Sequence, residues 1–475
     1  KSLHNTNGMI NPNKKLQHLL WRAGFGATIQ DMQTYKNQSI TKVVDDLFAK
    51  SAKTNPLKIT NAKPLPRQEI RMMSRDQKRA MRRKSRQQIR QLNIKWVERM
   101  VDGESSLREK MTYFWHGHFA CQNRNIYFMQ NQINTIRKHA LGNFKDLVMA
   151  IAKDPAMLLF LNNQQNRKKH PNENFARELM ELFTLGRGNY TEKDIKEAAR
   201  AFTGWGINRR TYEYRFRQRL HDFDEKTFLG KTGDFNGEDV IDIILKKEQT
   251  ARFITGKIYR FFVNDVSNEK IINRLAKKFY QSNYDIAALM REIFTADWFY
   301  QKRNIGAKIK SPVELVVGIR RNFQIDFEKK NASLFIQKIL GQVLLFPPNV
   351  AGWPGGQTWI DSSTLMFRLK LPYAIIKAAD LEVVAKAEGD VNKKGFVNRR
   401  MRRLTANINW GAYTRYFAKE TNQKKLYRAL SSFLLQSEHA KNQEFVARFA
   451  NGNSQDDLIK TMSLGIASLP EYQMC

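Results

Sequence analysis

Two histidines separated by one glycine are the first residues of this chain that suggest chemistry. His116 and His118 are two of only eight histidines in 475 residues, and they lie near the end of SLREKMTYFWHGHFAC, residues 106–121. Neutral imidazole is the commonest protein ligand for transition metals. Residues two apart on a regular helix point to nearly opposite sides, so both histidines can bind one ion only if Gly117 breaks the helix. A buried histidine bonded to a backbone carbonyl is the alternative.

The same segment carries the signals of a helix. Ser106 and Glu109 have the spacing of a capping box, in which each side chain bonds to the backbone amide of the other residue. Apolar side chains then recur at helical spacing along a stripe that ends at His118. We therefore predict a helix whose inward face carries His118, which makes His118 a better metal ligand than His116.

A second candidate group lies in NENFARELMELFTLGRG, residues 172–188. Asn174, Glu178 and Glu181 follow one another at i, i+4 and i+7, opposite a wide apolar face. Such a face is usually solvated. Two carboxylates one turn apart can also share a metal ion or divide acid and base roles.

A third candidate group follows a change of period. Aromatic and charged residues alternate over residues 211–220, which predicts a strand and a small β-hairpin within 211–230. His221 and Asp222 come next. This pair could be a histidine metal ligand and the carboxylate that orients it. The alternative is a histidine in a turn that is hydrogen-bonded to its neighbour.

The segment PPNVAGWPGGQTWI, residues 347–360, is the loop richest in proline and glycine. A constrained backbone places side chains precisely enough to line a site. We predict that Asn349, Trp353 and Trp359 line one here. The alternative is a compact loop packed by its own tryptophans.

The formal net charge of +36 is the strongest compositional signal. Residues 63–95 hold twelve lysines and arginines against two acidic residues, a second cluster precedes His221, and a third occupies 393–403. Clustered charge of this sign attracts nucleic acid, anionic polysaccharide, acidic lipid or an acidic protein. The residues predicted to contact the anion are Arg79, Arg82, Arg83, Arg86, Arg215, Arg217 and Arg219.

Composition and periodicity predict a mainly α fold, a large multi-helix body with the hairpin and loop described above. Hydrophobic residues make up 42% of the chain, which is ample for a core. No apolar run reaches the roughly 18 residues of a membrane span. The two cysteines exclude a disulfide framework. The common nucleotide, zinc-protease and hydrolase motifs are absent.

Several long motifs in order resemble the DUF1800 family of bacterial proteins. Among them are LLWRAGFGAT, LREKMTYFWHGHFA, NENFARELMELFTLGRGNYTEKDIKEAARAFTGW, HDFDEKTFLG and PPNVAGWPGGQTWI. The resemblance covers nearly the full chain and implies a single helical domain over 1–475. We divide it into N-terminal helices (1–60), a basic helix (61–105), a motif-bearing core (106–375) and C-terminal helices (376–475). The resemblance also implies an extracytoplasmic location, periplasmic, at the cell surface or secreted.

The leading functional hypothesis is a metal-dependent envelope enzyme that hydrolyses its substrate with a metal-bound water. Zinc, manganese or iron would suit a mixed histidine and carboxylate set. The predicted ligands are His116, His118, Glu178 and His221, the catalytic groups are Glu178, Glu181 and His221, and Asn174 and Asp222 support the ligands. The alternatives are a non-catalytic protein that binds anionic polysaccharide, with nucleic acid as the second choice of polymer, or a helical subunit of an envelope complex. The partner predicted from the charge is an anionic polymer or an acidic protein.

Overall fold

A computed structural model describes residues 11–377, 404–437, 442–450 and 452–475 of the chain. The mainly α prediction is confirmed in these residues, which form 22 α-helices and three two-stranded sheets. The helices of the first half are α1 (Pro12–Arg22), α2 (Ile29–Tyr35), α3 (Ile40–Lys50), α4 (Arg67–Met72), α5 (Arg75–Asp102), α6 (Ser106–His118), α7 (Ile126–His139), α8 (Phe144–Ala152), α9 (Pro155–Phe160), α10 (Asn174–Glu178) and α11 (Glu192–Ala201). Those of the second half are α12 (Gly237–Leu245), α13 (Glu248–Phe262), α14 (Glu269–Gln281), α15 (Ile286–Thr295), α16 (Pro312–Phe323), α17 (Ala332–Ile339), α18 (Ser362–Ile376), α19 (Trp410–Phe417), α20 (Gln423–Leu434), α21 (Asn442–Phe449) and α22 (Gln455–Ala467).

The small β part is confirmed, with different bounds. Each sheet is an antiparallel pair: β1 (Trp205–Ile207) with β2 (Tyr214–Phe216), β3 (Lys226–Phe228) with β4 (Lys231–Gly233), and β5 (Ile325–Phe327) with β6 (Ala406–Ile408). The strand predicted over 211–220 is observed only at Tyr214–Phe216. It pairs with the strand that precedes it in the chain, so that Phe216 lies opposite Trp205. Cross-strand pairing of aromatic side chains stabilises such a pair.

Helix α6 runs through the interior. Every side chain from position 107 to position 116 is buried, and α6 packs against α7, α5 and α3. A helix buried on all sides must find internal partners for each polar side chain it carries. The helix is unbroken at Gly117 and ends at His118.

The predicted capping box at Ser106 and Glu109 is wrong. Helix α6 begins one residue earlier than the box requires, after Ser105, and no side chain caps it. Glu109 instead accepts a hydrogen bond from the Trp96 indole at 2.9 Å and forms an ion pair with Arg137. Burial decides this outcome, because a carboxylate inside a protein needs a cation and donors more than the helix end needs a cap.

The proline- and glycine-rich loop is seated on the end of α6. Gly352 has a φ of +77°, and a Cβ at this position would overlap the carbonyl oxygen of Gly117. Both the left-handed backbone and the close approach require glycine. The loop therefore reaches the backbone between the two motif histidines.

One cluster of buried apolar side chains extends along the chain from Leu16 to Tyr472. The four sub-regions drawn from the sequence stay a prediction. The third basic cluster, at 393–403, lies outside the described residues. None of the described helices has both the length and the apolar character that crossing a membrane demands.

Replacement of Glu109 tests the importance of its buried ion pair. Glu109→Ala leaves the Arg137 guanidinium charged and buried, so we expect a loss of about 3–5 kcal/mol in the free energy of unfolding. Glu269→Ala is the matched control, because it breaks the exposed pair with Arg252 and should cost about 1 kcal/mol or less. Chemical denaturation followed by circular dichroism measures both. Equal losses in the two variants would contradict the central role of Glu109.

Candidate functional site

His116 faces the Pro/Gly-rich loop. Its Nε2 accepts a hydrogen bond from the backbone amide of Leu345 at 3.0 Å, and its ring contacts Trp96 and Trp353 with centroids 5.3 and 5.6 Å away. Burial lowers the pKa of His116 to about 3. The ring is therefore neutral, and Nδ1 carries its proton because Nε2 is the acceptor.

His118 points to another side of the same helix. It is buried, as the apolar stripe predicted, and its Nε2 lies 3.0 Å from the carbonyl oxygen of Phe183. Its Nδ1 lies 3.3 Å from the Lys257 ammonium. Nε2 therefore donates to the carbonyl, and Nδ1 accepts from Lys257. Burial, followed by the charge of Lys257, holds the pKa of His118 well below its ordinary value.

Lys257, on α13, is a residue that sequence reasoning missed. Its ammonium donates to the carbonyl oxygen of Leu182 at 2.9 Å as well as to His118. Burial, with Arg260 as a smaller cause, lowers the pKa of Lys257 to about 8. Its helix shows only an ordinary amphipathic pattern, so no local signal indicates that this lysine meets a motif histidine.

The contacts of Lys257 and His118 cap a helix end. Helix α10 continues into a π-helical turn, Leu179–Thr184, in which the amide of Leu185 donates to the carbonyl of Met180. The last carbonyls of a helix lack partners within it and favour positive charge. His118 and the Lys257 ammonium supply donors at this end. His118 thus contacts the helical segment that carries Glu178 and Glu181, as predicted, but it bonds to a backbone carbonyl there and not to a carboxylate.

The predicted carboxylate pair is half-buried on that helix. Glu181 forms an ion pair with Arg187 and accepts from the Tyr190 hydroxyl at 3.3 Å. Burial, and then the nearby charge of Glu181, raises the pKa of Glu178. Asn174 donates from its side chain to the carbonyl of Leu161 at 3.2 Å, which ties the start of α10 to the preceding turn.

His221 and Asp222 have separate partners. His221 is buried, with Nδ1 2.8 Å from the carbonyl oxygen of Thr203, and burial lowers its pKa. Asp222 accepts from the Arg200 Nε at 2.7 Å and Nη2 at 3.3 Å. Burial by itself would raise the pKa of Asp222, but the hydrogen bonds from Arg200 and from the amide of Asp224 bring it below the ordinary value.

The predicted metal ligands do not converge. Within the described ranges, no three or more His, Cys, Asp or Glu side chains are grouped so that they could hold a metal ion. Each histidine of the set has a backbone hydrogen bond instead: His116 from Leu345, His118 to Phe183 and His221 to Thr203. The zinc, manganese or iron cofactor stays a prediction, and the described residues do not provide a group of three ligands for it.

The three loop residues have different surroundings. Trp353 is half-buried against His116, and Trp359 is buried. Asn349 is exposed, and its side chain accepts from the amide of Ala351 at 2.9 Å. This arrangement matches the packed-loop alternative for Trp359 and leaves Asn349 and Trp353 at the surface.

The cations of residues 63–95, which we call the basic segment, are on the outside of the protein. Eleven of its twelve lysines and arginines are exposed, the exception being half-buried Lys78. Its main element, α5, has no buried residue before Ile89. In the described part of the chain, none of the twelve forms an ion pair, and Lys78 and Lys95 donate to backbone carbonyls.

The arginines of the second cluster divide into two kinds. Arg215 and Arg219 are exposed. Arg217 is half-buried and donates to the carbonyls of Gln164 at 2.8 Å and of Gly204 and Trp205 at 3.2 Å. Its guanidinium holds the hairpin backbone, so its position does not support the predicted anion contact. Burial, and then neighbouring arginines, lowers the pKa of Arg217.

The two basic clusters are neighbours in space. Tyr212, in the β1–β2 turn, donates its hydroxyl to the carbonyl of Leu65 at 2.6 Å, and its ring contacts Tyr127 at the start of α7. Ser85 of α5 accepts from the amide of Ile126 at 2.9 Å. The start of α7 therefore links the two clusters into one surface.

Three further cations join this surface, and sequence reasoning missed them. The turn at 166–170 lies beside the second cluster, because the amide of Lys168 donates to the carbonyl of Leu220. Arg167, Lys168 and Lys169 are all exposed there. Their run of three cations was the available signal, but its place beside residues 50 positions later depends on the fold. We call the whole surface, residues 63–90 with 167–169 and 209–219, the cationic face.

The neutral state of buried His116 should make the free energy of unfolding depend on pH. With a folded pKa of about 3 and an unfolded value near 6.5, His116 takes up a proton on unfolding at intermediate pH. Stability should therefore fall as the pH drops below about 6.5, by about 2 kcal/mol from this residue at pH 5. His116→Gln keeps an acceptor for the Leu345 amide and cannot titrate, so it should lose about 2 kcal/mol less than wild type between pH 7.5 and pH 5.

Urea denaturation at the two pH values measures this difference. Exposed His170→Gln is the matched control, and it should follow the wild-type curve. Parallel curves for His116→Gln and wild type would show that His116 is protonated in the fold.

Comparison with known proteins identifies the family and adds no chemistry. A family model described as "Protein of unknown function (DUF1800)" matches residues 18–474. No curated protein and no solved structure matches the chain. Because the match covers nearly the whole chain, the protein belongs to the DUF1800 family.

Proposed function

We propose that this protein binds an acidic polysaccharide through its cationic face, without catalysing a reaction on it. One observation carries the proposal: the basic segment exposes eleven cations, and none of them has an ion-pair partner in the described structure. By contrast, Arg320 and Arg321, which are buried, pair with Glu98 and Asp31. The surface cations are free for an external anion.

The arginines of α5 are arranged as a stripe. Positions 75, 79, 82, 86 and 90 are all arginine and all exposed, at spacings of three or four residues. Side chains at this spacing lie on one face, about 22 Å long at 1.5 Å per residue. A linear anionic polymer can follow such a stripe and contact each guanidinium in turn. Arginine also binds sulfate or carboxylate groups through two parallel hydrogen bonds.

This stripe works against the stability of α5. Like charges three or four residues apart destabilise a helix by roughly 0.2–0.5 kcal/mol for each pair. The half of α5 before Ile89 also buries no side chain that could offset this repulsion. Folding therefore gains nothing from the stripe, and a polyanion that neutralised it would stabilise the helix.

The basic segment favours recognition by charge over recognition of bases. Single-stranded nucleic acids are usually bound by exposed aromatic side chains on which bases stack. On the described basic segment the exposed large apolar side chains are Leu65 and Met72, and neither is aromatic. An extracytoplasmic location, which the family resemblance implied, is part of the proposal because polysaccharides are the abundant polyanions there.

Neutralisation of the stripe tests the proposal. The variant Arg79→Gln, Arg82→Gln, Arg86→Gln removes three exposed cations without breaking an ion pair in the described structure. Since an exposed charge contact contributes about 1 kcal/mol or less, we expect affinity for heparin to fall roughly ten- to hundredfold. Titration calorimetry at constant salt measures the affinity.

Helix α14 offers a matched control. Lys270, Arg274 and Lys277 are exposed and follow one another at i, i+4 and i+7, so Lys270→Gln, Arg274→Gln, Lys277→Gln removes the same charge from another helix. The control should keep wild-type affinity. Equal losses in both triple variants would indicate attraction to net charge alone. Tighter binding of single-stranded DNA than of heparin, at matched salt, would favour nucleic acid.

A further inference from the structure

Four cations lie in the interior where α1, α6 and α18 meet the last residues of the chain. Arg22, Lys110, Lys310 and Arg368 are each at most 2% exposed. Burial lowers the pKa values of Arg22, Lys310 and Arg368, that of Lys310 to about 7, and the charge of the same carboxylate, Glu314, opposes this lowering in all three. We call these four residues the buried cation cluster. It is separate from the cationic face, which lies on the surface.

Three members of the cluster have internal partners. Lys110 forms an ion pair with Glu314. Arg22 donates to the carbonyls of Asn304 at 3.0 Å and Cys475 at 2.9 Å. Lys310 donates to the carbonyl of Tyr472, and its ammonium lies 4.0 and 3.8 Å from the ring centroids of Trp21 and Tyr472. Carbonyls and aromatic faces stabilise a buried cation.

Arg368 is only partly satisfied. Its Nη1 donates to the carbonyl of Lys310 at 3.0 Å and to Oε1 of Gln473 at 3.3 Å. Its Nε and Nη2 are buried, and neither has a hydrogen-bond partner in the described residues. These two nitrogens share one edge of the planar guanidinium, where their N–H bonds run parallel and match the two oxygens of an oxyanion.

Gln473 provides a third donor at the same place. Its side chain contacts Arg368 through Oε1, and its Nε2 is also buried without a partner in the part of the chain that is described. Two touching side chains, both buried, thus carry three donors and no acceptor for them. Unpaired buried donors are costly, and a buried charge without a counterion more so.

Arg368 lacks a carboxylate in direct contact among the described residues. Glu314 and Asp361 act on its charge, but neither accepts a hydrogen bond from it in the described structure. Several other buried arginines pair directly with a carboxylate, as Arg137 does with Glu109. A bound anion would satisfy the donors and pair directly with the guanidinium, whereas a water molecule would satisfy donors only.

We propose that the free edge of Arg368 and the Nε2 of Gln473 bind one small oxyanion, inorganic phosphate or sulfate. The anion accepts two hydrogen bonds from Arg368 and one from Gln473. It joins α18 to the 3₁₀ turn Pro470–Gln473. Its role is structural, because it ties the chain's last turn to the helical body.

Anion release on unfolding tests the proposal. The full chain is incubated with inorganic phosphate, washed at high salt to strip surface ions, and denatured, and the released phosphate and sulfate are measured by ion chromatography. We expect one equivalent of oxyanion from wild type. Gln473→Glu should release none, because its carboxylate can pair with Arg368 in place of the anion and so preserve the fold.

Two more variants keep the result interpretable. Arg368→Met should also release none, and if it fails to fold, Gln473→Glu still decides the matter. The triple variant of the arginine stripe should release the wild-type equivalent, since the buried cluster is intact. Folded wild type that releases no oxyanion would overturn the proposal and leave the donors to water, and equal release from wild type and Gln473→Glu would overturn it too.

Melting temperatures measured in different anions identify the bound anion. Adding phosphate or sulfate at constant ionic strength should raise the melting temperature of wild type above its value in chloride, because binding to the folded state stabilises it. The melting temperature of Gln473→Glu should not depend on the anion. An equal shift in both proteins would assign the effect to the surface and contradict the buried site.

Discussion

The Glu109 carboxylate holds three helices in one arrangement. It lies on α6, accepts from Trp96 on α5 and pairs with Arg137 on α7. A buried charge tolerates little change in its partners, so α6 cannot rotate about its axis without breaking both contacts. The orientation of α6 then determines where the two motif histidines point. His116 points toward the amide of Leu345, and His118 points toward the carbonyl of Phe183.

The polar residues at the end of α6 connect other elements of the interior to this helix. His118 and Lys257 satisfy the carbonyls at the end of a π-helical turn, and His116 holds the loop whose Gly352 touches α6. A buried neutral imidazole has one donor and one acceptor. His118 uses both, whereas in the described structure His116 uses only its acceptor. Residue types that suggest a metal site can therefore have an entirely structural use.

The sequence predicted the helical class well and the partners of polar residues poorly, for a physical reason. Helices depend on local periodicity, and the inward position of His118 followed from it. The roles of Glu109 and Arg217 depend on Arg137 and on the carbonyl of Gln164, which other parts of the chain supply. Lys257 meets His118 from 139 positions away, and no local pattern encodes that contact. The exposure of the arginines in the basic segment was predictable, because clustered charged side chains are rarely buried.

Burial separates two classes of cation that composition counts together. Arg320, Arg321 and Arg137 pair with carboxylates, which offsets the cost of burying their charge. The arginines of α5 lack such partners in the described structure, and water allows this. An unpaired surface cation therefore carries no information about folding, whereas the buried nitrogens of Arg368 that lack a partner among the described residues are the basis for proposing one. The two proposals therefore give the same kind of charge two uses, a broad surface for a polymer and a single enclosed site for a small anion.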